Sequence, residues 1–277
     1  MATFSDGQPG CFIRRWSAVG QRRGGVVVLH GIQSHGGWYE HSCSRLADAG
    51  YDVAMPDRRG SGLSAGPRGD APSFRRLLDD VAGLLQTIPA PRFLAGISWG
   101  GKLALALGPR HPGLLAGVTL IAPGLCERVH VSRLRRLHIA AVRLIAPMRR
   151  FPLPLDDPEL FRADPDRQQF IRADPLALRD ATARLLIESR RLDVYVRLRA
   201  RRLPTPVLLL LAENDRIIDN DRTRRLLIRL RPRELSIREY AGARHTMEFE
   251  PGGPPFVDDW IAWLDRRIEG ASSSLRR

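Results

Sequence analysis

Lysine is nearly missing from these 277 residues: Lys102 stands alone, and every other Lys/Arg-type base is an arginine. Cysteine is scarce as well, with only Cys11, Cys43 and Cys126. Three thiols, none paired at metal-ligand spacing, exclude a disulfide scaffold and fit reduced cysteines in a cytoplasmic protein. Long apolar runs are lacking. Stretches such as Val207 to Ala212 fall far short of the roughly 20 residues that span a bilayer. Met1 to Gly10 carries no basic region followed by an apolar run, so no secretory signal is read there. What is present is ample core material, because 43% of the chain is hydrophobic. Disorder is therefore not expected, and the length suits one α/β core with an insert.

The net charge of +14 is the most conspicuous bulk property. It would suit nucleic acid, anionic lipid or an acidic substrate. The arginines are interleaved with Asp and Glu along helix-like segments, however, as on a solvated surface, and no zinc-finger, helix-turn-helix or stacking-aromatic pattern accompanies them. No nucleic-acid partner is expected.

Along the chain, short apolar runs alternate with helical patterns. Val26 to Leu29, Tyr51 to Met55, Arg92 to Ala95, Val118 to Ala122 and Val207 to Leu211 read as strands buried on both faces. Between them, spacings such as Leu77, Leu78, Val81, Leu84, Leu85 predict helices. This alternation predicts an α/β fold with a parallel sheet covered on both sides. Two edge strands are expected as well: Cys11 to Val19, early and antiparallel, and Glu234 to Tyr240, which alternates, late in the chain. The alternation breaks between about Leu125 and Leu203. There Val131, Leu134, Leu137, Ala141 and Leu144/Ile145 predict a basic amphipathic helix, a proline-rich stretch follows, and a second long helix is expected from Pro175 onward. No strand is expected in this region. The division is a core of residues 1–124 and 203–277 with a helical insertion over 125–202.

Gly96-Ile97-Ser98-Trp99-Gly100 follows one strand-like run and precedes a helical pattern, the context of a nucleophile elbow. A serine at so sharp a turn is strained, and its neighbours two residues away must lack side chains, which glycine provides. The Trp99 amide then lies in the first turn of a helix, where an N–H can stabilise an oxyanion. A serine needs a base and an orienting carboxylate, in the order Ser, acid, His. Asp215 follows one late strand and His245 the next, each where ligand sites of open α/β sheets gather. Asp219 is the rival acid, ranked second because it lies four residues further on. A second oxyanion donor is expected after the first central strand, in His30-Gly31-Ile32-Gln33: Gly31 allows the backbone to approach the substrate, and the Ile32 N–H is the candidate. His30 and His35 lack a third ligand at suitable spacing and no HExxH occurs, so no metal or other cofactor is expected. Gly60-Ser61-Gly62 fails as a dinucleotide fingerprint because the third glycine is misplaced, and reads as a turn.

The ordered set of His30-Gly31, Asp57-Arg58-Arg59-Gly60-Ser61-Gly62-Leu63-Ser64, the Ser98 elbow, Asp215 and His245 resembles the α/β-hydrolase superfamily, most of all its monoacylglycerol lipase/lysophospholipase group, also grouped with serine aminopeptidases. The likeness runs from about Val26 to Leu264. It implies a mostly parallel eight-stranded sheet with a helical cap inserted after the sixth strand, and Asp174-Pro175-Leu176 is similar to a segment of that cap. It also implies Ser98 as nucleophile, His245 as base, Asp215 as its partner, and the Ile32 and Trp99 amides as oxyanion hole. Ile97 and Trp99 replace the family's usual His and Met around the serine, and the loop after His30-Gly31 departs from its Glu-His pair. The expected function is hydrolysis of a carboxylic ester such as a monoacylglycerol or lysophospholipid, through an acyl-enzyme. Arg133, Arg135, Arg136 and Arg143 either solvate a lid helix or present charge to anionic lipid. A thioesterase, acyltransferase or aminopeptidase would use the same triad; dehalogenases and epoxide hydrolases normally carry Asp at the elbow; a binding protein could keep the fold without turnover. Trp260 and Trp263 are expected in the core.

Overall fold

In the computed structural model, which describes residues 3–7 and 11–274, the apolar runs become the strands of one sheet. In chain order these begin with β1 (Thr3–Gly7), β2 (Cys11–Trp16), β3 (Gly24–Leu29), β4 (Tyr51–Pro56), β5 (Arg92–Ile97) and β6 (Gly117–Ile121). A separate antiparallel ribbon of β7 (Arg150–Pro152) and β8 (Asp180–Thr182) comes next, and β9 (Val207–Ala212) and β10 (Leu235–Tyr240) complete the main sheet. Its eight strands lie in the order β1-β2-β4-β3-β5-β6-β9-β10. β1 pairs antiparallel with β2 and β2 with β4, while all pairs from β4 to β10 are parallel. β10 is thus a parallel edge strand, and β2 stops at Trp16 rather than Val19. β1 carries no apolar run, so the sequence pattern does not predict it.

Because side chains alternate across a strand, each central strand feeds two cores. Val27, Leu29, Leu94, Leu120, Leu209 and Leu211 point into one layer. It is closed by α2 (Phe74–Gln86), which follows α1 (Glu40–Asp48) in the chain, and by α3 (Gly100–Arg110). Val26, Val28, Phe93, Ala95, Leu208 and Leu210 point into the other, against α1 and the C-terminal helix. Ser73 begins α2 by accepting the Arg76 N–H, the usual means of satisfying an orphan donor at a helix start.

Between β6 and β9 the described residues add no strand to the main sheet. The segment folds as α4 (Arg133–Ile145), the β7–β8 ribbon, α5 (Pro165–Ala173) and α6 (Ala183–Arg199). Two expectations are corrected here. The β7–β8 ribbon departs from the strand-free segment that the sequence predicts, because three-residue strands show no periodicity. The long helix starts at Ala183, not Pro175: Asp174 caps the end of α5, and its side chain accepts the Leu176 N–H in a turn. α6 is capped by Thr182 and sends Leu185, Leu192 and Val196 into the first core layer, so the segment is fastened to the sheet domain. α7 (Asn220–Leu230) and α8 (Phe256–Ser274) complete the chain, with Trp260 and Trp263 fully buried as expected. Lys102 is buried between α3 and α6, 2.8 Å from both Glu127 and Asp193. These carboxylates hold its ammonium above the usual range although burial works against the charge. Cys11, Cys43 and Cys126 are free and buried. No helix among the described residues is long and apolar enough to cross a membrane.

Candidate active site

Ser98 follows β5 directly and has φ of 48°, a left-handed conformation that costs a non-glycine residue on the order of 1 kcal/mol or more. Three hydrogen bonds hold the turn in place: the Ser98 N–H donates to the Ile121 carbonyl (2.9 Å), and the Ser98 carbonyl accepts from Gly101 (2.9 Å) and Gly124 (2.7 Å). The flanking glycines are sterically required. A methyl on Gly96 would lie 2.6 Å from the Gly100 carbonyl oxygen, and one on Gly100 would run into the Leu29 carbonyl.

Asp215 and His245 follow β9 and β10, and the structure brings them together. His245 Nδ1 lies 2.8 Å from Asp215 Oδ2, with both side chains buried. Asp215 Oδ1 accepts the Ile217 and Ile218 N–H groups, each at 2.8 Å, so the carboxylate is held on both oxygens. The bond fixes the imidazole with its proton on Nδ1, which leaves Nε2 free to accept one. Asp219 has a different place: it caps α7 by accepting the Arg222 N–H. Ser98 Oγ makes no hydrogen bond among the described residues, to His245 or to any other group.

In the loop that follows the neighbouring strand β3, Gly31 lies against the elbow. A methyl there would meet Ser98 Cβ at 3.4 Å and Oγ at 3.8 Å. Neither the Ile32 nor the Trp99 N–H is engaged by a hydrogen bond among the described residues, so both remain available as donors. The Trp99 indole N–H donates to Ser189 Oγ of α6 at 2.8 Å, tying the elbow to the inserted segment. His30 packs beneath this loop. Burial, then the neighbouring Arg58 charge, keep its imidazole neutral by holding its pKa well below the usual range. Among the described residues no three His, Cys, Asp or Glu side chains gather as a metal site. A small, mostly apolar recess of about 40 Å³, lined by Cys11, Ile13, His30, Arg58, Leu77 and Leu103 among others, involves none of Ser98, Asp215 or His245.

The inserted segment grips both sides of the site through contacts that sequence reasoning missed. Asp174 accepts from Trp38 Nε1 (2.6 Å) and bonds His35 Nε2 (3.1 Å). Although burial opposes ionisation, these donors and the Leu176 amide bring its carboxyl down to about 2. On the histidine side, the Thr246 N–H donates to the Phe161 carbonyl, the Phe161 ring packs edge-on to His245, and Arg162 pairs with Glu250. Glu248, three residues past His245, is buried against the start of α1: it accepts the Ser42 N–H at 2.9 Å and bonds the Ser42 hydroxyl. Burial pushes its carboxyl up to about 7. Only Asp174-Pro175-Leu176 carried a signal for any of this, through its likeness to a cap segment.

Known proteins share this architecture over most of the chain. A family model described as serine aminopeptidase, S33, matches residues 20–252. The chain is 28% identical over 258 residues to a monoacylglycerol lipase of Mycolicibacterium smegmatis, covering 90% of each protein. It is 28% identical over 254 residues to the monoglyceride lipase of Homo sapiens, covering 89% of this chain and 82% of that one. Among solved structures, a Paleococcus ferrophilus monoacylglycerol lipase superposes with a TM-score of 0.82 at 25% identity, over 94% of this chain and 98% of the other.

Proposed function

Because the chain belongs to the serine aminopeptidase S33 family of α/β hydrolases and is a hydrolase of the lipase/esterase type, we propose that it cleaves carboxylic esters of the monoacylglycerol or lysophospholipid kind through Ser98, His245 and Asp215. The observation that carries this reading is the 2.8 Å His245–Asp215 bond at the edge of the sheet that also presents Ser98 in a strained turn. His245 Nε2 takes the Ser98 proton as Oγ attacks the acyl carbonyl. The Ile32 and Trp99 amides hold the oxyanion, the protonated imidazole gives its proton to the leaving alcohol, and water releases the acyl group by the same route. In resting enzymes the nucleophile–base hydrogen bond is often long and tightens only once substrate is bound, so the unbonded Ser98 Oγ is compatible with this role.

The relatives' names support a monoacylglycerol-like substrate for this chain. Its inserted segment supports an interfacial one. Leu134 (80%) and Ile145 (84%) of α4 are largely exposed, as are Leu137 and Leu144, and Arg133, Arg135, Arg136 and Arg143 flank them. An outward apolar ridge with basic borders suits an anionic lipid surface.

Ser98→Ala is expected to lower kcat on short-chain esters by about four to six orders of magnitude and to abolish labelling by a fluorophosphonate. Retained activity would defeat the assignment. A panel of esters of graded chain length, acyl-CoA and aminoacyl amides then identifies the substrate class. Preference for acyl-CoA or amides would move the reading to thioesterase, acyltransferase or aminopeptidase, and a chain that never reacts with the probe would be a binding protein.

A further inference from the structure

The buried guanidinium of Arg58 is directed at the backbone of the loop beside Ser98. Arg58 Nη1 donates to the Gly31 carbonyl (3.1 Å), and Nη2 donates to the Ile32 carbonyl (3.1 Å) and to Ser61 Oγ (3.0 Å). Its guanidinium carbon sits 4.8 Å from the centre of the Trp99 ring. No carboxylate pairs with it among the described residues. The adjacent Asp57 carboxylate serves Arg14 and the Gly36 and Leu63 amides instead. An arginine 8% exposed with no ion pair is costly, so its contacts with two successive carbonyls call for an account.

Peptide geometry supplies one. The Gly31 carbonyl and the Ile32 N–H belong to the same trans peptide and point in opposite directions. Anchoring the carbonyl therefore aims the N–H. Gly31 O also lies 2.7 Å from His30 Nδ1, while His30 Nε2 accepts the Arg58 N–H at 2.9 Å, so Nδ1 carries the ring hydrogen and donates. Two donors on one carbonyl, one of them a cation, polarise the peptide and strengthen its N–H as a donor.

We propose that Arg58 is a positioning residue of the oxyanion hole: it locks and polarises the Gly31–Ile32 peptide so that the Ile32 N–H is preorganised for the negative charge that develops on the substrate oxygen, and it braces Trp99, whose amide is the second donor. The inference rests on the hydrolase reading above. The guanidinium needs no contact with substrate to act. Its effect grows with charge on the substrate oxygen, so it belongs to the transition state rather than to binding.

The test compares wild type with Arg58→Met and Arg58→Lys. Wild type must first form a fluorophosphonate adduct at Ser98; failure there removes the hydrolase reading and this inference with it. Given the adduct, kcat/KM of Arg58→Met on a short p-nitrophenyl ester is expected to fall about 10- to 100-fold, mostly in kcat, less than the roughly 100- to 1,000-fold cost of deleting an oxyanion donor. The inhibition constant of a trifluoromethyl ketone, whose adduct with Ser98 carries the oxyanion, should rise by the same factor, while that of the matching ether, which develops no charge, stays within about twofold. Arg58→Lys keeps the charge but loses the fork that reaches both carbonyls, falls between, and carries the test if Arg58→Met does not fold. If kcat/KM is unchanged, or if it falls while the ketone constant stays fixed or moves only in step with that of the ether, Arg58 merely packs the loop and the proposal is overturned.

Discussion

Replacing Asp215 by Asn isolates the carboxylate's role with little change of shape. Oδ1 accepts two backbone N–H groups, from Ile217 and Ile218, both at 2.8 Å, and an amide NH₂ facing them would leave three buried donors without an acceptor. In Asp215→Asn the remaining side-chain oxygen is thus expected to stay there, which turns the new NH₂ toward His245 Nδ1, 2.8 Å from the original Oδ2. Two N–H donors cannot share a hydrogen bond, so the imidazole moves its proton to Nε2. It then offers a donor, not an acceptor, to Ser98. The analogous change in a serine protease costs about 10⁴ in kcat, equivalent to about 5 kcal/mol of transition-state stabilisation, and the same order is expected here. The assay is kcat on a soluble p-nitrophenyl ester, with thermal unfolding to show that the fold persists. Asp219→Ala is the control: it removes the α7 cap, should cost about 1 kcal/mol of stability and should leave kcat near wild type. A loss below tenfold in Asp215→Asn, or a larger loss in Asp219→Ala, would refute the assignment.

Two further outcomes are expected. The Glu248 carboxyl is raised to about 7 in the folded chain against about 4.3 when unfolded, so the native state keeps a proton the unfolded chain has lost across that window, and stability falls as pH rises through it. Urea unfolding of Glu248→Gln against wild type should show an advantage for the variant that grows by up to about 3 kcal/mol between pH 4 and pH 8, whereas a pH-independent offset would contradict the burial of this group. Leu144→Asp on the exposed ridge of α4 should weaken sedimentation with anionic vesicles by about tenfold and leave hydrolysis of soluble esters unchanged; equal loss on both would remove the lipid-facing role of the helix.

The central strands could be read from the sequence because each is buried on both faces and so appears as a continuous apolar run, Val26 to Leu29 being the clearest. The elbow could be read because strain at Ser98 demands glycines at 96 and 100, a local rule visible in five residues. The positions of Asp215 and His245 followed from strand ends. Contacts between distant segments were hidden. Arg58 stood in the sequence as one base in Asp57-Arg58-Arg59, and nothing local says that its guanidinium folds back on carbonyls 26 and 27 residues earlier. Asp174 meets Trp38 and His35 across 136 and 139 residues. The β7–β8 ribbon was invisible because each strand spans one and a half pleats, and the helix expected from Pro175 was misplaced because apolar spacing continues through a turn that Asp174 and Pro175 impose.

The burial of the sole lysine and of all three thiols leaves the native surface poor in the nucleophiles that common protein reagents seek. Maleimides and succinimidyl esters should therefore modify those four side chains slowly until the fold opens, and their rate becomes a clock for opening events in the α3–α6 and sheet layers. An electrophile that reacts quickly with the folded protein has few places to go, which makes covalent tagging of the elbow unusually free of background.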